Sequence, residues 1–403
     1  MEQLSSIVGF LENKTVLITG STGFVAKEVL RIQPKVKKLF LLLRAKDSAS
    51  ASARLYDEIL NKELFMVVKE KWVSDLSNLI SERVTMPVAG DISCEDLGVK
   101  EDQLKNEMWN EVDVVVNLAA TVNFDERYDV ALAINTMGPK HILNFAKKCI
   151  NSKAFIHVST GVMKEIPFKM GETLNGTFNL DINLEFKAAI TAAMKDFGNK
   201  RAQTFGWPNT YVFTKAMGEM LIGESRGSMS LVILRWIEGV RTIDSLAIAY
   251  GKGRMECFLG DPNSTIDLIP ADMMVSSIIV AIAAHADRPS ESIYQIGSSN
   301  RNPLKYSSIP LWGHIYFSHN PWIGILYKFK ADDVVMRLVQ LYRPYLFFKA
   351  IFDDKNTSKL RAAARNSMDS ADVFHFQFDP KTIDWEDYMM NVHFPGAVTH
   401  LFK

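Results

Sequence analysis

The stretch Thr15-Val-Leu-Ile-Thr-Gly-Ser-Thr-Gly-Phe-Val-Ala26 decides the fold. Val16-Leu17-Ile18 is a short apolar run, as expected of a strand covered on both faces. Gly20 allows a sharp turn, and Gly23 lets the backbone approach a phosphate with no Cβ in the way. A helix from about Phe24 then points its first N–H groups at the anion. Ala26 is a third small residue, suited to close helix–strand packing. The spacing is Gly-x-x-Gly-x-x-Ala rather than the commoner Gly-x-Gly-x-x-Gly. In a chain with 22 glycines, that spacing alone also fits an ordinary strand–helix corner. Thr19, Gly20, Thr22, Gly23 and Phe24 are the candidate cofactor contacts of this turn.

The following segments favour the dinucleotide reading. Lys38-Leu-Phe-Leu-Leu-Leu43 is a second strand, and it ends in Arg44. An NAD enzyme offers Asp or Glu to the ribose 2′-hydroxyl at this point, whereas an arginine suits a 2′-phosphate, so NADPH is the expected cofactor. An arginine that merely ends a strand in solvent is the alternative. A third strand, 84–88, leads to Asp91, placed to meet the adenine. A fourth, 112–116, leads to Asn117-Leu-Ala-Ala120, where Asn117 and the small Ala119 leave room beside the dinucleotide. Strands alternating with helices at this pace predict an α/β fold with a doubly wound parallel sheet.

Tyr211-Val-Phe-Thr-Lys215 carries the candidate chemistry. Residues four apart share a helix face, so Lys215 can set its ammonium near the Tyr211 phenol. A neighbouring cation favours phenolate and lowers a pKa of roughly 10, which makes Tyr211 a usable general acid near neutral pH. Thr160, with Ser159 beside it, ends a fifth strand and can hold a carbonyl oxygen. A second Tyr-x-x-x-Lys, Tyr345 to Lys349, makes the bare pattern uninformative. Context selects the first: Tyr211 opens what reads as an amphipathic helix before the sixth strand, 231–234, whereas Tyr345 lies far beyond the sheet.

With these residues placed, the chain resembles the extended short-chain dehydrogenase/reductases, and more narrowly the plant alcohol-forming fatty acyl-CoA reductases. The resemblance rests on Gly20-Ser-Thr-Gly-Phe-Val-Ala-Lys27, Asn123-Phe-Asp-Glu-Arg-Tyr-Asp129 and Gly206-Trp-Pro-Asn-Thr-Tyr-Val-Phe-Thr-Lys215. It continues in Trp236-Ile-Glu-Gly-Val-Arg-Thr-Ile-Asp244, Asp267-Leu-Ile-Pro-Ala-Asp272 and Phe378-Asp-Pro-Lys-Thr-Ile-Asp-Trp385. It implies NADPH, a long-chain acyl-CoA substrate and a primary fatty alcohol product formed through an aldehyde.

The chain departs from that pattern in four places. Arg235 joins Trp236 directly, where the family has Arg-Pro and a loop. Thr160 runs into Gly161-Val-Met-Lys164 in place of an Ala-Tyr-Val-Cys-Gly segment. The first helix is about one turn short, and a piece is missing between Gly324 and Lys330. The losses after Arg235 and after Thr160 lie on the nicotinamide side, whereas the adenine half is largely complete apart from its short helix, so the expectation is better NADPH binding than acyl-CoA turnover. A non-catalytic relative, and another extended reductase acting on a small carbonyl or nucleotide sugar, stay open beside the main reading.

Composition sets further bounds. Basic and acidic residues balance at 46 each, so no footprint for nucleic acid is present. Three cysteines, Cys94, Cys149 and Cys257, argue for a reducing compartment and against a disulfide framework or a zinc site. The first residues do not read as a secretory signal, and no apolar run is long enough to span a bilayer. The chain divides into a reductase domain over 1–298, with substrate insertions around 162–210 and 236–272, and a mainly helical region over 299–403. Aromatic residues interleaved with cations in that last region suit a peripheral membrane contact or a fatty-chain tunnel, and a helical subdomain explains them equally well. The expected setting is cytoplasmic, with the endoplasmic reticulum membrane as the surface for any such contact. Nothing in the sequence specifies an oligomeric state.

Overall fold

The computed structural model describes residues 7–20, 36–61, 85–124, 126–160, 181–182, 184–185, 195–236, 250–251, 260–321, 343, 345–366 and 376–401. Seven strands build the main sheet: Thr15–Thr19 (β1), Lys38–Arg44 (β2), Thr85–Gly90 (β3), Val114–Asn117 (β4), Ala154–Ser159 (β5), Leu231–Trp236 (β6) and Glu291–Ile296 (β8). Their order is β3-β2-β1-β4-β5-β6-β8, and each neighbouring pair is parallel. The order reverses between β1 and β4, which opens the crevice at their carboxyl ends where such sheets bind ligands. The third strand continues two residues past the expected 84–88, to Gly90, and the sixth runs to Trp236 rather than Leu234.

Alternation along the strands sorts the layers. Leu17, Val115, Phe155, Ile233 and Ile293 share one face. They pack in one buried cluster with Met108 of helix Asp102–Glu111 (α1), Ile142 and Phe145 of Gly138–Lys148 (α2), and Ile222 of Thr210–Ser225 (α3). Helix Ala271–His285 (α4) also packs on β5 and β6, from the opposite face. The helix carrying Tyr211 differs from expectation: it is not amphipathic, because Thr210 to Ile222 are all buried. Neighbouring helices and the sheet enclose it over these residues, and only its last turn, at Glu224, meets solvent.

The chain splits into two units, and not once at 298/299 as the sequence pattern suggests. The first comprises Met1–Trp236, Pro270–Ile296 and Asp354–Phe378; the second comprises Ile237–Ile269, Gly297–Asp353 and Asp379–Lys403. Helix Lys355–Arg365 (α5) returns to the first unit because β8 is an edge strand with carbonyls to satisfy. Asn356 Nδ2 donates to Ile293 O at 3.0 Å, and Thr357 Oγ1 donates to Gln295 O at 2.7 Å. In the second unit, Thr265–Ile266 (β7) pairs antiparallel with Leu304–Lys305 (β9), a long-range pairing with no local signal. Its core gathers Leu304, Ile309, Trp385, Met389 and Phe394. The family stretch ending at Trp385 has a structural job here: Arg301 holds the Asp379 carboxylate through two bonds of 3.0 Å, and Trp385 Nε1 donates to Asn302 O. Among the described residues, no helix is long and apolar enough to cross a membrane.

Candidate active site

The turn after β1 is built for close backbone approach. Gly20 has φ +72°, and a Cβ there would lie 2.9 Å from Ala119 N and from the Leu118 carbonyl carbon. Both the conformation and the space demand glycine. Thr22, Gly23 and Phe24 lie outside the described residues, as does the first helix whose length the sequence questions.

Beneath this turn, three strand ends are tied by side chains. Thr19 Oγ1 donates to Asn117 Oδ1 at 2.7 Å, and Ala119 N donates to the same oxygen at 3.2 Å. That orientation turns Asn117 Nδ2 toward His157 Nδ1, 3.0 Å away. An amide nitrogen can only donate, so Nδ1 accepts and the imidazole proton sits on Nε2. Burial, and then the Lys215 charge, hold the His157 pKa well below the ordinary value, so the ring is neutral. The side chains of Thr19 and Asn117 are thus committed to the protein. The partly exposed backbone of Gly20 and Ala119 remains as the surface a dinucleotide meets.

Arg44 ends β2 exposed, as a 2′-phosphate reader needs, and its carbonyl accepts from Arg54 Nη1 at 2.7 Å. Asp91 is half-buried. Its Oδ1 accepts from Ser93 N at 2.9 Å and Ser93 Oγ at 2.7 Å, which fixes the turn after β3.

Lys215, Ser159 and Thr160 meet at the end of β5, and Tyr211 lies one turn before Lys215 on the same helix. Asn209 caps α3, its Oδ1 accepting from Val212 N at 3.1 Å, so the helix begins just before Tyr211. Thr210 is held by Asn199 Oδ1 through both its N–H and its hydroxyl, at 3.1 Å each. Tyr211 and Lys215 are 7% and 2% exposed. The Tyr211 ring stacks on Phe124 with centroids 5.2 Å apart, which gives the Asn123-Phe124 stretch a role that sequence reasoning had not assigned. Lys215 Nζ donates to Val158 O at 2.8 Å, one residue before Ser159. Ser159 Oγ is buried and has no hydrogen-bond partner among the described residues; Thr160 is buried beside it. The other pair separates clearly: Lys349 is exposed and bonded to Asp261 at 2.6 Å.

Two features went unread in the sequence. Glu185, almost fully enclosed, accepts from Tyr128 Oη at 2.8 Å and from Arg201 Nε at 3.1 Å, anchoring part of the substrate-side insertion. Glu219, two turns after Tyr211 on the same face, binds Arg235, with Nη2 at 2.7 Å and Nε at 3.0 Å from Oε2. Its spacing from Lys215 repeats the spacing of Lys215 from Tyr211 and was the available signal. The described cysteines offer no thiolate nucleophile here, since burial pushes Cys149 up to about 12 and Cys94 is an exposed residue after β3.

With the strand order and the turn after β1 in place, the comparisons with known proteins can be set beside the fold. A nucleotide-binding family profile described as Male sterility protein matches residues 18–278, and a second of the same description matches 328–403. The alcohol-forming fatty acyl-CoA reductase of Simmondsia chinensis is 45% identical over 496 positions, covering 100% of both chains. Fatty acyl-CoA reductase 1 of Arabidopsis thaliana is 42% identical and covers 99% of each. An alignment of 496 positions against 403 residues places internal gaps in this chain. Among solved structures, the terminal R domain of the myxalamid pathway superimposes with a TM-score of 0.63 at 18% identity, over 100% of this chain and 94% of that one. The NAD complex of UDP-glucuronic acid 4-epimerase from Bacillus cereus gives 0.54 at 15%, over 96% and 100%; at these identities both establish the fold alone. Strand order, nicotinamide-dinucleotide domain and full-length likeness converge on one assignment: the chain belongs to the plant fatty acyl-CoA reductase family.

Proposed function

We propose that this protein reduces the thioester carbonyl of a long-chain acyl-CoA, carries the aldehyde on to the primary alcohol, and uses NADPH. The observation that carries this reading is the buried Ser159 hydroxyl, which has no partner among the described residues and lies next to the carbonyl to which Lys215 is bonded. A buried donor without an acceptor is costly, and a ligand oxygen would complete this one. Gly20, Ala119 and Arg44 would hold the cofactor, which would supply hydride to each of two successive carbonyls. Ser159 and Thr160 hold the carbonyl oxygen as it gains negative charge, and Tyr211 Oη donates the proton. As the hydroxyl returns its proton to Tyr211 the C–S bond breaks, CoA leaves as thiolate and the aldehyde remains, its oxygen occupying the same donors in the second round, when Tyr211 protonates the alcohol. Exposed Phe347 and Ile351, close in sequence to Arg343 and Lys349, support peripheral contact with a membrane surface, and the proposed setting is the cytoplasm beside the endoplasmic reticulum.

The internal gaps favour a second reading, in which the chain binds NADPH and turns over acyl-CoA weakly. One experiment separates the two: purified protein, NADPH and a panel of acyl-CoAs, with aldehyde and alcohol assayed. Tyr211→Phe is expected to cost at least about a hundredfold in aldehyde reduction with cofactor affinity nearly intact. A fully active Tyr211→Phe enzyme would mean another donor. Arg44→Ala is expected to weaken NADPH about ten- to a hundredfold and leave NADH unchanged; equal binding of both cofactors by the parent would remove the NADPH assignment.

A further inference from the structure

Arg235 is wholly enclosed at the end of β6, and Glu219 is 3% exposed on α3. Burying such a pair removes two charges from water, and well-packed apolar side chains commonly serve stability as well or better. The opposite face of the same two strands makes the point, for α4 packs on β5 and β6 and buries Val275, Ile278, Ile279 and Ile282. The pair therefore calls for a reason beyond stability.

Its placement supplies one. Tyr211, Lys215 and Glu219 follow one another at four-residue intervals, so they form a single line along α3. Lys215 ties that line to β5 through Val158 O, and Glu219 ties it to β6 through Arg235 one turn further on. Arg235 is in turn the register partner of Ser159. One bond would let the helix roll about its point of attachment. Two bonds, about 5.4 Å apart along the axis and directed to different strands, remove both rolling and sliding.

We propose that the Arg235–Glu219 pair is a positioning element: it sets the register and rotation of the Tyr211–Lys215 helix against the Ser159–Thr160 strand, and geometry rather than stability is its contribution. The inference rests on the reductase reading for its catalytic consequence, and its test includes an arm that needs no turnover.

The decisive variant is the double substitution Glu219→Leu with Arg235→Met, which fills the space and leaves no stranded charge. It is expected to melt within a few degrees of the parent and to keep its NADPH affinity. Its kcat for a long-chain aldehyde is expected to fall at least about tenfold with KM little changed, because small displacements of reacting groups are expensive. Arg235→Lys keeps the charge and loses the planar fork, and is expected to show a smaller loss in kcat. The turnover-free arm follows the ultraviolet phenolate titration of Tyr211, isolated as the difference between each protein and its Tyr211→Phe counterpart. The double variant is expected to shift that titration, since Lys215 no longer holds its place. A folded double variant with parental kcat and parental Tyr211 titration overturns the proposal. So does a double variant that fails to fold, for the pair is then required for stability. If the parent reduces no aldehyde or acyl-CoA, the reductase reading fails by itself, and the Tyr211 titration alone decides the positioning role.

Discussion

Helices α3 and α4 lie over the same strands on opposite faces and are both buried, yet they are made of different material. The α4 helix is almost wholly apolar, and its Ser277 hydroxyl donates to Met274 O in its own preceding turn. The α3 helix buries Tyr211, Thr214, Lys215 and Glu219, and its polar groups engage other elements. Asn135 Nδ2 donates to Thr214 Oγ1 at 3.2 Å, Thr136 Oγ1 to Thr214 O at 2.8 Å, Lys215 to Val158 O, and Arg235 to Glu219. Dispersion and area suffice to close a sheet face, as α4 demonstrates. Burial of a lysine and a glutamate adds desolvation cost with no gain in packing. The difference marks α3 as the helix whose placement has to be specific, and α4 as the one that has only to fill space.

The largest effect that can break this contrast is on α4. Ile279 is fully buried, and Ile279→Ala is expected to cost about 2–5 kcal/mol of stability through lost transfer energy and the cavity left behind. Denaturant unfolding measures the loss, while kcat per folded molecule is expected to hold. If kcat falls as steeply as stability, α4 also positions the site, and the division of labour between the two helices is wrong.

How much of this was legible depends on the kind of contact. The sheet was readable because runs such as Val16-Leu-Ile18 and Leu39-Phe-Leu-Leu-Leu43 announce strands buried on both faces. Gly20 was readable because the turn chemistry is local. Arg44 and Arg235 show where such reading stops. Each follows an apolar run at the carboxyl end of its strand, yet one is exposed and the other has no exposure at all, because Glu219 overlies β6. The same limit hid the Asn117–His157 bond, which joins strands 40 residues apart, and the return of α5 to the edge of β8. Those are tertiary facts, and no local pattern encodes them.

A smaller effect is expected from the one histidine of α4. His285 sits at the C-terminus of the helix, its Nε2 2.5 Å from Tyr294 Oη, and burial followed by Arg288 lowers its pKa to about 4. The unfolded chain has the ordinary value near 6.5, so the unfolded state binds more protons between the two. Stability is therefore full above about pH 6.5 and declines as pH falls toward 4, by up to roughly 3 kcal/mol. Urea melts across this range check the slope, and His285→Gln is expected to flatten it. An unchanged slope would assign the acid sensitivity to another group and leave α4 electrostatically silent.

The smallest effect separates the two helices at their first turns. Asn209 caps α3 through Val212 N, whereas Pro270 at the head of α4 provides no side-chain cap. Asn209→Ala is expected to cost about 1 kcal/mol of stability, the usual value of such a cap. Tyr211 is the second residue of the helix, so fraying there acts directly on the proton donor, and kcat is expected to fall further than the stability loss alone would produce. Asn209→Asp retains the accepting oxygen and is expected to restore both. Should Asn209→Ala lose stability with kcat untouched, the bonds from Asn199 to Thr210 hold the first turn without the cap, and the precision required of α3 resides further along, at Lys215 and Glu219.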